Sequence, residues 1–386
     1  TTLGMRTVGV YAPVDGLSLH TRYVSEAREL AGDADPVAAY LDIDALVEIA
    51  RETGCDAVHP GYGFLSENAL FAQRCAEAGL TFIGPKPETL SLFGDKVQAR
   101  AFARELGVPT VPGSAESLLN PEAAAYAAEE AGYPVLLKAA AGGGGRGMRL
   151  VDSAAEMADA FARCAGEAEA AFGDGTLFLE KRIERPRHIE VQILGDGQGN
   201  VVHLRERDCS IQIRHQKVIE IAPAPGLDDE LRGRLLADAV KMAAAAGYQN
   251  AGTVEFLVSP EAGAYWFIEC NPRIQVEHTI TEQVMGVDLI EAQFRIAAGA
   301  SLGDLGLADQ DRVAEPRGYA VQARVVVQGA GVIGAYKEPS GAGVRVDGNG
   351  YGGYQPPPQF DPLLAKVIAS GTDYASALAR TRQALA

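Results

Sequence analysis

The stretch Tyr265-Trp266-Phe267-Ile268-Glu269-Cys270-Asn271-Pro272-Arg273-Ile274-Gln275-Val276-Glu277-His278 alternates apolar and polar side chains over most of its length. Successive side chains of an extended strand point to opposite faces. One face would therefore carry Glu269, Asn271, Arg273, Gln275 and Glu277, and the other would carry Ile268, Cys270, Pro272, Ile274 and Val276. Because Pro272 lacks an N–H for a central ladder position, we expect the chain to leave its sheet there and enter a pocket.

A half-solvated edge strand would explain the same alternation, so a second stretch is needed to choose. The run Thr253 to Val258 is an apolar strand with one carboxylate, Glu255, in its middle. A buried carboxylate needs a cation or several donors to stay charged. Glu255, Glu269 and Asn271 offer oxygen ligands of the kind that Mg²⁺ prefers, which predicts a metal site between two strands.

Composition limits the classes of protein to consider. The chain has 386 residues, of which 47% are hydrophobic, enough for a large core and two or three domains. A net charge of −17 opposes binding to nucleic acid or to an anionic membrane surface, so we expect neither partner. No apolar run approaches the ~20 residues of a membrane helix, and the first residues lack a signal-peptide pattern. Five scattered cysteines without a C-x-x-C pair favour a reducing, cytoplasmic location over structural zinc.

The pattern of elements predicts a mixed α/β and α+β protein. We expect a doubly wound α/β domain over residues 1–82, incomplete at its start, and a helical linker over 83–110. Residues 111–183 would form a small mobile lid domain. Residues 184–386 would form an α+β domain that carries most of the functional residues.

Two lysines and a glycine run indicate phosphate binding. Lys96 follows Asp95 at the start of a helix, and Lys138 ends a buried-strand run. Four consecutive glycines come next, Gly142, Gly143, Gly144 and Gly145. They allow backbone N–H groups to turn toward one anion. The alternatives are a solvated surface lysine and a flexible hairpin tip.

Basic residues are concentrated between the lid and the acidic strands. The run Ser210 to Lys217 contains Arg214, His215 and Lys217 and follows the alternating strand of His188. Several cationic donors facing a cluster of two carboxylates and an amide are typical of a site that handles a triphosphate. A lattice of surface salt bridges is the competing explanation.

These motifs together resemble a known family. HPGYGFLSEN, GDK, LLKAAAGGGGRGM, PRHIEVQ, ERDCSIQIRHQK, GTVEFL and ECNPRIQVEHTITE occur here in the order in which the biotin carboxylase domain of biotin-dependent carboxylases has them. That domain has the ATP-grasp fold. The resemblance covers essentially the whole chain. The sequence around NPRIQVEHTITE looks most like the pyruvate carboxylase branch, although acyl-CoA carboxylases share much of it.

The resemblance implies a set of ATP contacts, with the glycine run over the phosphates and residues 180–183 along the adenine. The side chains and segments concerned are Lys96, Lys138, Met148, Glu180, Lys181, Ile183, His188, Gln212, His215 and Leu257. Magnesium, or manganese, would be held by Glu255 and Glu269 with Asn271 close by. Arg273, Gln275 and Val276 would bind bicarbonate.

The resemblance also implies the reaction. Bicarbonate would attack the γ-phosphoryl of MgATP with Glu277 as general base and Lys217 on the transferred phosphoryl. The product, carboxyphosphate, would release CO₂ and a basic phosphate that deprotonates biotin, with Arg324 stabilising the biotin enolate. Biotin would arrive on a carboxyl carrier domain, since no Met-Lys attachment motif occurs here. A carboxyltransferase domain or subunit and a homo-oligomer or larger assembly are further implied.

The sequence departs from the family pattern near Arg324. Gln322 stands where members usually have Glu, the segment after Arg324 is apolar and then glycine-rich instead of acidic, and Ile213 stands where a basic residue is expected. Two other functions stay open. A carboxylate–amine ligase of the ATP-grasp class would share Lys138 and the metal carboxylates but would not need the Arg273 to Glu277 spacing. A non-catalytic nucleotide-binding module would need a broken ligand, and none is visible in Glu255, Glu269 or Lys217.

Overall fold

The computed structural model describes residues 3–31, 35–114, 116–140 and 147–386. Strands over these residues form four sheets, two of them parallel pairs near the amino terminus. The strands, numbered in chain order, are β1 Val8–Tyr11, β2 Glu26–Glu29, β3 Ala57–Val58, β4 Thr81–Phe82, β5 Val135–Ala139, β6 Met148–Val151, β7 Leu177–Lys181, β8 Arg187–Asp196, β9 Val201–Ile213, β10 Gln216–Ala222, β11 Gln249–Ser259, β12 Ala264–Asn271, β13 Tyr319–Val326, β14 Val344–Gly348 and β15 Leu363–Gly371.

Helices pack on these sheets, and several begin at a side chain that caps the first turn. Asp95, for example, accepts hydrogen bonds from the backbone N–H groups of Val97 and Gln98, so the helix of Lys96 begins where the sequence indicates. The α-helices are α1 His20–Tyr23, α2 Pro36–Ala39, α3 Ile43–Glu52, α4 Ala69–Glu77, α5 Pro87–Gly94, α6 Lys96–Glu105, α7 Pro121–Ala131, α8 Met157–Phe172, α9 Asp229–Ala245, α10 His278–Met285, α11 Leu289–Ala297 and α12 Tyr374–Ala384. Short 3₁₀ turns occur at Pro13–Asp15, Ala154–Glu156, Gly303–Leu305 and Gln310–Arg312.

An eight-stranded antiparallel sheet forms the centre of the structure, with the strand order β12-β11-β8-β9-β10-β13-β15-β14. Alternation along its strands separates two faces. On β8, Ile189, Val191 and Ile193 pack in the core with α9, together with apolar residues of β11, α5 and α6. A second core on the sheet contains residues of α10 and α11. The polar residues between the core positions of β8 and β11 are therefore directed away from α9, toward the site.

A smaller three-stranded antiparallel sheet, in the order β6-β5-β7, carries α7 and α8. Its core is rich in alanine, because two helices pack closely on a short sheet. Residues 111–183, expected to form the lid, contain this unit. Near the amino terminus, α3 and α4 pack around the parallel pair β3 and β4, as expected of an α/β unit.

The alternating stretch of residues 265–278 leaves its sheet where the sequence predicts. Strand β12 ends at Asn271, and Pro272 begins an irregular segment that leads into α10 at His278. The predicted separation of faces is wrong at two positions. The β11–β12 register shifts between the pairs Glu255–Glu269 and Phe256–Phe267, so Ile268 is an extra residue. Ile268 consequently lines the same cavity as Glu269, and Val276, in the irregular segment after β12, lines it beside Glu277.

Among residues 3–31, 35–114, 116–140 and 147–386, every helix is too short or too polar to cross a bilayer.

Candidate active site

A cavity of about 1220 Å³ opens between the large sheet, the small sheet and the loop of Tyr62. Its volume exceeds that of most small-molecule sites, so it can hold a nucleotide together with a second reactant. Most of the residues that the sequence singled out line this cavity: Lys96, Lys138, Met148, Glu180, His188, Gln212, His215, Lys217, Glu255, Glu269, Asn271, Arg273, Gln275, Val276, Glu277 and Arg324.

Three of the expected ATP-contact residues do not line it. The Lys181 ammonium instead donates to the carbonyl oxygens of Gly132 and Tyr133, at 2.7 and 2.8 Å. Leu257 pairs with His188 across β11 and β8, and Ile183 follows the end of β7. The glycine run Gly142 to Gly145 lies outside the described residues. Nucleotide contacts at all of these positions stay predictions.

Sheet register places carboxylates in a row beside the cavity. Glu255 of β11 pairs with Glu269 on one side and with Glu190 of β8 on the other. Directly paired residues have Cβ atoms about 5 Å apart, so three adjacent strands bring three negative charges together. Like charges at this spacing repel, and the site must contain cations to hold them.

Lys217 of β10 is the main cation. Its ammonium donates to Glu255 Oε1 at 2.9 Å, to Glu277 Oε1 at 2.8 Å and to Glu190. Glu190, Glu255 and Glu277 have almost no exposed side-chain surface. Glu255 accepts three further hydrogen bonds, from Asn271 and Gln275 at 2.8 Å each and from His188 at 2.7 Å.

In this cluster, attraction between opposite charges affects the pKa values more than burial does. Burial alone would lower the pKa of Lys217, but the three carboxylates raise that pKa well above its ordinary value. Burial alone would raise the pKa of Glu255 and of Glu277. The charge of Lys217, helped by His188 at Glu255 and by Arg324 and Arg207 at Glu277, lowers both pKa values instead. Glu277 is therefore ionised at neutral pH and able to accept a proton.

Arg324 is shared between two carboxylates. Its Nη2 donates to Glu277 Oε2 at 3.0 Å, and its Nε donates to Glu220 Oε1 at 2.6 Å. Burial raises the pKa of Glu220 to about 7, the Arg324 charge works against this, and the Glu277 charge adds to it. Gln322, at the position where the sequence departs from the family pattern, donates to Glu220 Oε2 at 2.9 Å. Gln322 and Arg324 thus share Glu220, and Arg324 also contacts Glu277.

Arg273 lies at the same end of the cavity. Its Nε donates to Glu67 at 2.6 Å, and its Nη2 donates to Asn271 Oδ1 at 3.0 Å. Glu67 belongs to the HPGYGFLSEN motif, so a salt bridge links this N-terminal loop to the alternating stretch of residues 265–278. Together with Gln275, Arg273 gives this end of the cavity donors for a small anion.

Basic residues at the other end are also paired with carboxylates. Lys96 lies 3.1 Å from Glu269, and Lys138 contacts Glu180 of β7. Glu180 also accepts from Arg100 at 2.9 Å, and both of these side chains are buried. Both lysine ammonium groups remain on the cavity wall, where phosphate oxygens could reach them.

The donor set suits a divalent cation, with one difference from the prediction. Glu255 and Glu269 are opposite each other beside the cavity, and oxygen donors of this type suit Mg²⁺ or Mn²⁺. Among the described residues, however, the groups close enough to share an ion are His188 with Glu190 and Glu255, and Glu190 with Cys209 and Glu277. Glu269 belongs to neither group, and its carboxylate lies 3.1 Å from the ammonium of Lys96.

Several residues of the site were not found from the sequence. Glu190 lies within an alternating strand, where its charge between buried apolar neighbours was a usable signal. Arg207 was hidden, because Arg205-Glu206-Arg207-Asp208 has charges on both faces of β9 and no alternation. Glu220 occupies the middle of an otherwise apolar strand end, a pattern like that of Glu255.

The fold and site define an ATP-grasp enzyme: two antiparallel sheets enclose a cavity with lysines from both and carboxylates from the larger. Family models agree. The model described as "Carbamoyl-phosphate synthase L chain, ATP binding domain" matches residues 95–305. Those described as "Biotin carboxylase, N-terminal domain" and "Biotin carboxylase C-terminal domain" match residues 1–90 and 320–386. The chain belongs to the biotin carboxylase family of ATP-dependent ligases, which confirms the resemblance and the predicted fold class.

Relatives of known structure and function are similar over the whole chain. Mitochondrial pyruvate carboxylase of Mus musculus is 50% identical over 396 residues, which cover 100% of this chain and 33% of that protein. The chain thus spans about a third of the length of the curated relatives it matches. The biotin carboxylase of Campylobacter jejuni in a β,γ-ATP complex has a TM-score of 0.95 at 41% identity, covering 100% of this chain and 86% of that one. The biotin carboxylase domain of Hydrogenobacter thermophilus 2-oxoglutarate carboxylase, solved with MgADP, ADP and bicarbonate, has a TM-score of 0.95 at 44% identity, covering 100% and 85%.

Glu220 provides a test of these electrostatics. Its pKa is about 7 in the folded protein against an ordinary value of 4.5, so the folded state holds a proton that the unfolded state releases. The stability that this proton contributes is complete below pH ~4.5 and is lost as the pH rises through ~7. We expect the free energy of unfolding of the parent, relative to Glu220→Gln, to fall by on the order of 1 kcal/mol per pH unit within that window. Urea denaturation at several pH values measures the difference, and a difference independent of pH would contradict the assignment.

Proposed function

We propose that this chain catalyses the MgATP-dependent carboxylation of carrier-linked biotin by bicarbonate, through carboxyphosphate. The observation that carries the proposal is the position of Glu277, an ionised base between Lys217 and Arg324 in a cavity that also contains Arg273 and Gln275. The bound molecules named for the similar Campylobacter and Hydrogenobacter structures, a β,γ-ATP and MgADP with bicarbonate, support it.

Bicarbonate capture is assigned to Arg273, Gln275 and Val276. The Arg273 guanidinium is held by Glu67 and Asn271, and Gln275 is fixed by its bond to Glu255. A guanidinium presents planar paired donors to an oxyanion, so it orients bicarbonate as well as attracting it. Fixed donors reduce the entropy cost of aligning the attacking oxygen with the phosphoryl group.

The proton transfer requires a change at Lys217. Glu277 can remove the bicarbonate proton because it is ionised, but a carboxylate with a strongly lowered pKa is a weak base. Burial raises the pKa of Glu277, and the charge of Lys217 is the largest of the effects that lower it. We propose that the ammonium exchanges Glu277 for an oxygen of the transferring phosphoryl group. This exchange raises the basicity of Glu277 when the attacking anion is in place.

Nucleotide binding is assigned to the opposite end of the cavity. Lys96, Lys138, His188, Gln212 and His215 would contact ATP, with Glu180 beside the adenine and the glycine run over the phosphates. Glu255 and Glu269, with Asn271, would hold Mg²⁺ or Mn²⁺. The ion would neutralise charge on the phosphate oxygens.

Arg324 is assigned to the second step. Its guanidinium is held by Glu220 and touches Glu277, so it lies beside the place where the phosphate released from carboxyphosphate would form. A biotin enolate is an anion, and a fixed cation in a water-poor site stabilises it strongly. Nearby apolar side chains, among them Val326 and Leu363, line the same part of the cavity.

The proposed function implies partners and a domain plan. Biotin would be supplied by a carboxyl carrier domain and passed to a carboxyltransferase domain or subunit, within a homo-oligomer or larger assembly. We propose an α/β domain at 1–82, a linker at 83–110, a mobile lid at 111–183 that closes over ATP, and a C-terminal domain at 184–386. A cytoplasmic location is part of the same proposal.

The role of Glu277 is tested by Glu277→Gln. General-base assistance contributes ~10²–10⁴-fold, so kcat for bicarbonate-dependent ATP cleavage should fall by that range while nucleotide affinity changes little. Steady-state kinetics with ADP detection measures it. Glu206→Gln is the matched control, because Glu206 is a buried carboxylate that pairs with Arg232 away from the cavity. Near-normal turnover in Glu277→Gln would make Glu277 a structural partner of Lys217 and Arg324.

The metal assignment is tested by Glu269→Gln. Loss of one carboxylate should raise the magnesium concentration needed for half-maximal ATP cleavage by at least ~10-fold. Glu261→Gln in the turn of the same hairpin is the control, since Glu261 is exposed and outside the cavity. A magnesium titration that gives the same midpoint for both variants would exclude Glu269 as a ligand.

A further inference from the structure

Arg207 of β9 is fully buried and uses every donor of its guanidinium. Nε donates to Glu190 Oε1 at 2.6 Å. Nη1 donates to Gln192 Oε1 and Thr281 Oγ1 at 2.7 and 3.0 Å, and Nη2 donates to Thr253 Oγ1 and Gln275 Oε1 at 3.1 and 3.0 Å. An arginine has five N–H groups, so the hydrogen-bonding capacity is filled.

The acceptors belong to four separate parts of the fold. Gln192 and Glu190 are on β8, and Thr253 is on β11. Gln275 is in the irregular segment after β12, and Thr281 is in the first turn of α10. Residues 275 and 281 lie on either side of Glu277, which is the residue that precedes α10. One guanidinium therefore ties both sides of the base to the large sheet.

Arg207 also acts on the cation of the site. Glu190 accepts Arg207 through one oxygen and Lys217 through the other. The position of Lys217, which donates to Glu277, therefore depends on how Arg207 holds Glu190. Arg207 itself does not line the cavity and so does not contact a substrate there.

We infer that Arg207 is a positioning residue, which fixes Gln275, Glu277 and Lys217 for the use of bicarbonate. The inference rests on the proposed function, because it takes Glu277 as the base and Gln275 as a bicarbonate ligand. Among the proposed nucleotide contacts, Lys96 and Lys138 are on other elements. His188 and Gln212 lie on β8 and β9 but accept no hydrogen bond from Arg207, so the geometry of the nucleotide end should depend little on Arg207. Replacing Arg207 should therefore impair the use of bicarbonate much more than the binding of MgATP.

The test is Arg207→Lys, which keeps the buried positive charge and loses the planar fork. We expect kcat/KM for bicarbonate to fall by ~10- to 100-fold, because a displaced anion site and base are costly. KM for MgATP should stay within ~3-fold of the parent. Arg232→Lys is the matched control, since Arg232 pairs with Glu206, the neighbour of Arg207 on β9, on the other side of the sheet. It should change neither value.

A second variant covers the case in which Arg207→Lys does not fold. Thr253→Val with Thr281→Val removes two acceptors and leaves Arg207 and its charge in place. Its KM for bicarbonate should rise several-fold while KM for MgATP does not. Equal changes in both KM values, or none, in whichever of these variants folds would overturn the inference. If the parent chain itself shows no bicarbonate-dependent ATP cleavage, the result contradicts the proposed function, on which the inference about Arg207 rests.

Discussion

Burial of negative charge is the constraint on which this site depends. Glu190, Glu255 and Glu277 have almost no contact with solvent, and each accepts a hydrogen bond from the ammonium of Lys217. An unpaired buried carboxylate would cost several kcal/mol or take up a proton. The charge of Lys217 keeps Glu255 and Glu277 ionised, and its contacts hold all three carboxylates in one cluster.

The large sheet produces this cluster through register. Glu269, Glu255, Glu190 and Arg207 are successive partners across β12, β11, β8 and β9. A second polar row, Asn271, Thr253 and Gln192, lies two residues further along the same strands. Because a shift of one residue would turn every side chain to the other face, the apolar packing on α9 also specifies the active site. The same strand pairings therefore determine both the packing of the core and the arrangement of the polar residues in the cavity.

Much of the fold could be predicted because local signals are strong. Pro272 marks the end of β12, Asp95 marks the start of α6, and the motif order identifies the family. The extra residue at Ile268 could not be predicted, because a register shift depends on the partner strand rather than on the alternation itself. Arg207 was missed for a similar reason, since its partners are 15 to 74 residues away and only the folded sheet brings them together. Glu220 had a usable local signal, one charge in an apolar strand end, but its partner Arg324 is 104 residues away.

The central claim is that bicarbonate, and not water, attacks the γ-phosphoryl group with Glu277 as its base. The direct measurement is the oxygen isotope content of the phosphate released when the chain cleaves MgATP in ¹⁸O-labelled bicarbonate. Attack by bicarbonate followed by loss of CO₂ leaves one bicarbonate oxygen on phosphorus, so the account predicts one ¹⁸O per phosphate. Phosphate without ¹⁸O, whose one new oxygen comes from solvent and whose release rate does not depend on bicarbonate, would contradict it.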